Sequence, residues 1–140
     1  MRGQALVLDA NILIRAVLGQ RVFTLLNSHY RTTTFFAPDD AFADAHKYLP
    51  PIFDSRDLDW DVGAAVLDRL PALVQSVDIE VYGAYENAAR PRIRDARDWP
   101  VLATALSLNC PIWTEDQDFF GTGVATWTTS TVSLYLSGAS

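Results

Sequence analysis

The sequence predicts an α/β domain with a mostly parallel central sheet. Apolar or β-branched runs alternate along the chain with stretches of helical spacing, the pattern of strands joined by crossover helices. Two of the apolar runs, Ala5-Leu6-Val7-Leu8 and Pro111-Ile112-Trp113-Thr114, end on the acids Asp9 and Glu115-Asp116. Open parallel sheets bind ligands beyond the carboxyl ends of their strands, so these endings draw notice. The chain has 140 residues, 49% hydrophobic and 20% charged, which suits one self-supporting domain over 1–140. The same figures exclude a wholly disordered chain, a collagen-like chain and a coiled-coil rod.

Each element follows from its residues. Ala5 to Leu8 is a buried strand that runs into a turn at Asp9-Ala10-Asn11. Ile12 to Leu18 carries apolar residues at helical spacing, with Asp9 or Asn11 as its cap. Thr32 to Ala37, rich in β-branched and aromatic residues, reads as a second strand. Asp40 to Leu49 reads as a helix that Pro50-Pro51 stops, leaving the apolar segment Tyr48 to Phe53 on a loop. Asp57, Asp59 and Asp61 stand near a helix start, where acids favour the positive end of the dipole. Val62, Val66, Leu67, Leu70 and Val74 continue that helix, with Pro71 placed to kink it. Ile79-Glu80-Val81-Tyr82 reads as a strand, and Tyr85 to Ala89 as a helix ended by Pro91. Trp99 to Leu108 is the most apolar helix, with alanines suited to close packing. Pro111 to Thr114 is a strand, Val124 to Thr128 a last short strand, and Ser130 to Leu136 a final helix.

Charge and cysteine content narrow the function. Lys and Arg total 11 against 17 Asp and Glu, a formal net charge of −6 that opposes a broad basic face for nucleic acid. A nuclease that recruits metal cations stays open, because bound metal inverts the local charge. The single cysteine, Cys110, excludes an intramolecular disulfide and a cysteine zinc site. It fits a reducing compartment, so a cytoplasmic location is expected. No stretch is long and apolar enough to span a membrane. Asp9, Asn11 and Arg15 interrupt the apolar run after Met1-Arg2, against a signal peptide. There is no Gly-rich phosphate loop, dinucleotide fingerprint or nucleophile elbow. His29 and His46 lack metal-ligand spacing and read as structural.

The acids carry the chemical signal. Asp9 and Asp116 close two strands, Asp44 sits early in the helix after the second strand, and Asp98 stands just before the Trp99 helix. Asp40 shares the face of Asp44, four residues earlier. Carboxylates brought together at one end of a sheet repel unless some stay protonated or cations intervene, and hard oxygen ligands suit Mg²⁺ or Mn²⁺. Taken singly, Asp39 and Asp98 are also natural helix caps, and Asp116 and Asp118 ordinary turn residues.

These residues fall into four motifs. Val7-Leu8-Asp9-Ala10-Asn11-Ile12-Leu13 resembles the opening motif of PIN domains, the nuclease fold of VapC-type toxins. Pro38-Asp39 followed by Ala43-Asp44 is similar to the second motif, with Asp44 where Glu is usual. Asp98-Trp99-Pro100-Val101-Leu102-Ala103-Thr104-Ala105 resembles the third, an Asp opening an Ala-rich helix. Pro111-Ile112-Trp113-Thr114-Glu115-Asp116-Gln117-Asp118-Phe119 resembles the fourth. Each motif is weak alone, but the order and separation are specific, and together they span nearly the whole chain.

The resemblance implies a three-layer α/β/α sandwich and a metal-dependent endoribonuclease using Mg²⁺ or Mn²⁺. It implies that Asp9, Asp98 and Asp116 hold the principal metal, and that Asp44 helps place a second metal or the attacking water. Asp118 is a further candidate ligand, and Asn11 and Thr114 are candidates to orient carboxylates or substrate. It also implies an antitoxin partner and a homodimer. Arg92, Arg94 and Arg97, with Arg90, form a basic cluster before Asp98 that could guide an RNA backbone or simply pair with local acids. Tyr48 to Phe53 is either a partner surface or a cover for the core. Trp60, Trp99, Trp113 and Trp127 read mainly as core, with a stacking role for Trp99 or Trp113 as the lesser reading. Two rival functions remain. One is a PIN-like module that binds RNA or protein without cutting, favoured by Asp44 and the negative charge. The other is a phosphatase on another α/β fold, opposed by the absence of a second Asp in Asp9-Ala10-Asn11.

Overall fold

A computed structural model describes residues 3–138; Met1-Arg2 of the signal-peptide reading lies outside them. Five strands form one parallel sheet in the order β3-β2-β1-β4-β5: β1 (Gln4–Leu8), β2 (Thr33–Pro38), β3 (Val74–Val77), β4 (Ile112–Trp113) and β5 (Thr126–Trp127). The chain builds outward from β1 through β2 to β3, then returns to lay β4 on the other side of β1. The order therefore reverses between β1 and β4, and a crevice opens there at the strands' carboxyl ends.

Alternation along the strands separates two cores. Leu6, Leu8, Phe35 and Trp113 face one side, where they meet α1 (Ala10–Leu18), α2 (Arg21–His29), α3 (Asp39–Ser55), α4 (Trp60–Arg69) and α8 (Val132–Leu136). Val7 and Ile112 face the other side, packed with α7 (Trp99–Leu108) and with Tyr82 and Ala89 from α5 (Ile79–Tyr82) and α6 (Glu86–Ala89). This is the expected three-layer α/β/α sandwich, and the strand period of two produces it directly. Asn109, in the left-handed region at φ 53°, ends α7 with its N–H on the Ala105 carbonyl.

Three expectations need correction, and one helix is added. The Pro50-Pro51 pair does not stop α3, which runs on to Ser55 and takes the Tyr48–Phe53 segment into the helix. Burial of the last turn outweighs the lost backbone donors: Phe53 packs edge-on against Trp60 at 5.2 Å, and Gly63 of α4 leaves room for its ring. The Val62–Val74 helix is shorter than expected. It ends at Arg69, a turn follows over Leu70–Ala72, and Val74 belongs to β3. Ile79–Tyr82 is therefore helix rather than strand, capped by Asp78, whose carboxylate accepts from the Glu80 N–H at 2.9 Å. The added helix is α2 over Arg21–His29, whose local signal is weak because its apolar face is short and only Val22 and Leu26 are buried.

Candidate active site

The parallel register pairs Leu8 with Trp113, so the next residues, Asp9 and Thr114, emerge side by side at the reversal point. Asp9 caps α1: its Oδ1 accepts from the Ile12 N–H at 3.0 Å. Its Oδ2 accepts from the Thr114 hydroxyl in a short hydrogen bond. The same hydroxyl oxygen accepts from the Asp116 N–H at 2.9 Å, so one fully buried threonine fixes both strand-end acids. Asp116 in turn caps the turn Gln117–Phe119, accepting from the Asp118 N–H at 2.9 Å.

Asp98 closes the turn Ala96–Asp98 and precedes α7, whose Pro100 needs no backbone donor in the first turn. Asp44 comes from α3. Asp9, Asp44, Asp98 and Asp116 line one pocket of about 180 Å³, with Asn11 at the start of α1. The pocket also takes in Asp40, one helical turn before Asp44. Asp118 sits beside it: carboxylate oxygens of Asp98, Asp116 and Asp118 lie within 4.8 Å of one another. The acids named as candidate ligands thus share one end of the sheet, while among the described residues the close carboxylate group is Asp98, Asp116 and Asp118, with Asp9 and Asp44 lining the pocket outside it.

Their electrostatics reflect the crowding. Asp9 is only 6% exposed. Burial pushes its carboxyl up to about 6, the charges of Asp116 and Glu115 add to this, and the Thr114 and Ile12 hydrogen bonds oppose it. Asp98 rises to about 7, first through burial and then through Asp116, Asp95, Asp9 and Asp118. Asp40 rises to about 6 through burial, followed by the charges of Asp44 and Asp39. A cluster whose members hinder one another's ionisation is relieved by a cation. An all-carboxylate donor set with such close oxygens fits a hard divalent ion of the Mg²⁺ or Mn²⁺ type.

The arginines divide. Arg97 reaches the pocket, 89% exposed, and forks onto Asp95 with contacts of 3.2 and 2.9 Å. Arg94 sits 3.9 Å from Asp118, and Arg90 pairs with Glu86 at 2.6 Å and lies over the Trp99 ring. Arg92 lies against Gly123, and neither it nor Arg94 lines the pocket. His29 and His46 bond the backbone carbonyls of Leu25 and Phe42, as structural histidines do. Trp113 is fully buried, so no base can stack on it. Tyr48, which the sequence offered only as part of a partner surface or core cover, also lines the pocket from α3, one helical turn after Asp44.

Comparison with known proteins is consistent with this geometry. The family model described as PIN domain matches residues 7–137. No curated protein matches the chain. Among solved structures, PAE2754 from Pyrobaculum aerophilum is similar with a TM-score of 0.74 at 14% identity, covering 97% of this chain and 90% of that one. VapBC2 from Rickettsia felis, solved with a DNA fragment from its promoter, gives a TM-score of 0.67 at 14% identity over 89% of this chain and 98% of that one. A toxin-antitoxin complex from Klebsiella pneumoniae gives 0.58 at 16% identity, over 89% and 97%. At these identities the likeness is one of fold.

Proposed function

The chain belongs to the PIN domain family, and we propose that it is a divalent-metal-dependent endoribonuclease acting as the toxin of a toxin-antitoxin pair. One observation carries the chemistry: acids from four separate segments, Asp9, Asp44, Asp98 and Asp116, line a single pocket at the reversal point of a parallel sheet. The toxin assignment rests on the fold likeness to VapBC2 and to the Klebsiella toxin-antitoxin complex, and it brings with it an antitoxin partner and a homodimer in the cytoplasm. No helix among the described residues is long and apolar enough to cross a membrane.

In this reading Asp9, Asp98 and Asp116 hold the principal Mg²⁺ or Mn²⁺, with Asp118 as an added ligand and Asp44 serving a second cation or the attacking water. Bound cations would neutralise phosphodiester charge and make the attacking water more acidic. The protein supplies the frame. Thr114 keeps the Asp9 carboxyl oriented and anchors the Asp116 backbone, and Asn11 offers a polar contact at the pocket wall. Arg97 meets backbone phosphate by exchanging Asp95 for a phosphate oxygen, and Arg92 and Arg94 extend the basic path away from the pocket. A non-cleaving RNA- or protein-binding module is the second reading, favoured by Asp44 in place of the longer Glu.

The test is cleavage of a labelled single-stranded RNA pool by wild type, Asp9→Asn and Asp98→Asn, with Mg²⁺, Mn²⁺ or chelator. Cleavage by wild type alone, abolished by chelator, is expected. A folded wild type that binds metal and RNA yet cuts nothing would move the assignment to the binding module.

A further inference from the structure

Next to the acid-lined pocket runs a wider groove of about 560 Å³. The two share Asp40, Asp44, Tyr48, Arg97 and Asp98, so the groove is a direct extension of the pocket. Beyond the shared residues its lining is Ile79, Tyr82, Trp99 and Pro100, apolar or aromatic, with Asp95 beside them. The Tyr82 and Trp99 rings meet edge-on at 5.6 Å, and the Tyr82 hydroxyl donates to Asp39 at 2.6 Å, so this wall is held in place. Two side chains stand open to solvent along it: Tyr48, 47% exposed, and Ile79, 50% exposed.

The sizes divide the labour. The acid pocket, at about 180 Å³, is smaller than ordinary small-molecule sites, whereas the groove falls within their usual range of roughly 300–1,000 Å³. Phosphate held at the acids through a cation leaves its attached nucleoside to go somewhere within a few ångströms. The groove offers an exposed aromatic ring and apolar surface, with four acids and only Arg97 as a cation, which suits a flat uncharged base and not a second phosphate. Resting on the nuclease reading above, we propose that this groove is a nucleobase subsite for the nucleotide next to the scissile phosphate, with Tyr48 as its stacking platform. Arg97, on the edge shared by pocket and groove, then sits where that nucleotide's phosphate passes. The ammonium of Lys47, 5.3 Å from the Tyr48 ring centroid, swings from the ring toward the strand when the base stacks. Stacking on a ring reads no Watson–Crick edge, so the subsite tolerates any base but needs one.

The test compares a short single-stranded RNA with the same RNA made abasic at every position, which keeps the charge and removes the rings. Binding is measured with Mg²⁺ in the Asp98→Asn background, and wild-type cleavage of the RNA pool is run alongside. The intact RNA is expected to bind about 5- to 150-fold more tightly than the abasic one. Adding Tyr48→Leu should remove most of that difference by weakening the intact RNA alone. Tyr48→Phe should keep it, because stacking needs the ring and not the hydroxyl. Equal weakening of both RNAs by Tyr48→Leu, or no change in either, overturns the subsite. If wild type still cuts RNA in that event, the nuclease reading survives its loss. If the protein binds neither RNA and wild type cuts nothing, both fall together.

Discussion

The Thr114 hydroxyl bridges two acids at the seam between β1 and β4: it donates to Asp9 and accepts from the Asp116 N–H. Asp9 and Thr114 are 105 positions apart in the chain, yet adjacent strands set them side by side. The threonine itself is fully buried and touches no solvent. It holds the Asp9 carboxylate directly and the Asp116 backbone beside it, before any ligand arrives, as a positioning residue does.

Thr114→Val keeps the shape and removes the hydroxyl. Asp9 then loses one of its two hydrogen bonds, and the half-buried Asp116 N–H loses its acceptor. Divalent metal affinity should fall about 10- to 100-fold, the usual consequence of deleting a partner that orients a metal ligand. Thr114→Ser keeps the hydroxyl and should stay near wild type. Calorimetric titration with Mn²⁺ reads this directly. Equal affinities for the Val and Ser variants would show that the bridge does not organise the site.

The raised carboxyls make stability depend on pH in a definite direction. Asp9 titrates near 6 in the fold against 3.8 when free of it, and Asp98 and Asp40 are raised in the same sense. The folded state therefore binds these protons more tightly than the unfolded state does. Their stabilisation is fully present below about pH 4 and is lost as pH rises through about 6 to 7. For Asp9 the interval corresponds to roughly 3 kcal/mol. Metal-free Asp9→Asn should therefore lose less stability than wild type between pH 4.5 and 7.5, on the order of 1–3 kcal/mol less by denaturant melts. Added Mn²⁺ should restore wild type at neutral pH and leave the variant nearly unmoved. Parallel pH profiles for the two metal-free proteins would contradict the buried charge at Asp9.

Much of the candidate site was readable before the fold was known, and the reason is local. Asp9 and Asp116 follow directly on apolar strands, and Asp98 opens an Ala-rich helix, so each acid is tied to an element whose type the neighbouring residues already fix. The misreadings cluster where tertiary contact overrides local signals. Ile79–Tyr82 is four residues long, too short to distinguish a period of two from one of 3.6. The Pro50-Pro51 pair reads as a stop until Phe53 is seen buried against α4. Tyr48 gained its place at the site only once α3 was laid beside α1 and β2, a contact no local pattern encodes.

Gly63 tests the packing that carries α3 past its prolines. In an open helix, Gly→Ala would stabilise by about 1 kcal/mol. Here a Cβ at position 63 would lie 2.5 Å from Cζ of Phe53 and 2.7 Å from a second ring carbon. The ring is buried between the helices and wedged against Trp60, so it has little room to yield. Overpacking of this kind costs about 1–3 kcal/mol, which outweighs the helix gain. Gly63→Ala should unfold at lower denaturant than wild type. A rise in stability would mean that the end of α3 moves freely.

The last prediction concerns Asp44, where the family motif usually carries Glu. Asp44 lines the pocket from α3, and its carboxyl stops one methylene short of where a glutamate would reach. Hard divalent ions demand short, near-ideal oxygen contacts, so one methylene separates a direct contact from one through water. Asp44→Glu should strengthen the weaker of two Mn²⁺ binding events in calorimetry, and it should lower the Mn²⁺ concentration needed for half-maximal RNA cleavage. Asp44→Asn should weaken the same event and leave the tighter one, proposed for Asp9, Asp98 and Asp116, nearly intact. If Asp44→Glu instead weakens binding, the pocket is already closed around the shorter side chain, with Asp40 filling the space beside it. Asp40→Asn would then cost metal affinity as much as Asp44→Asn does.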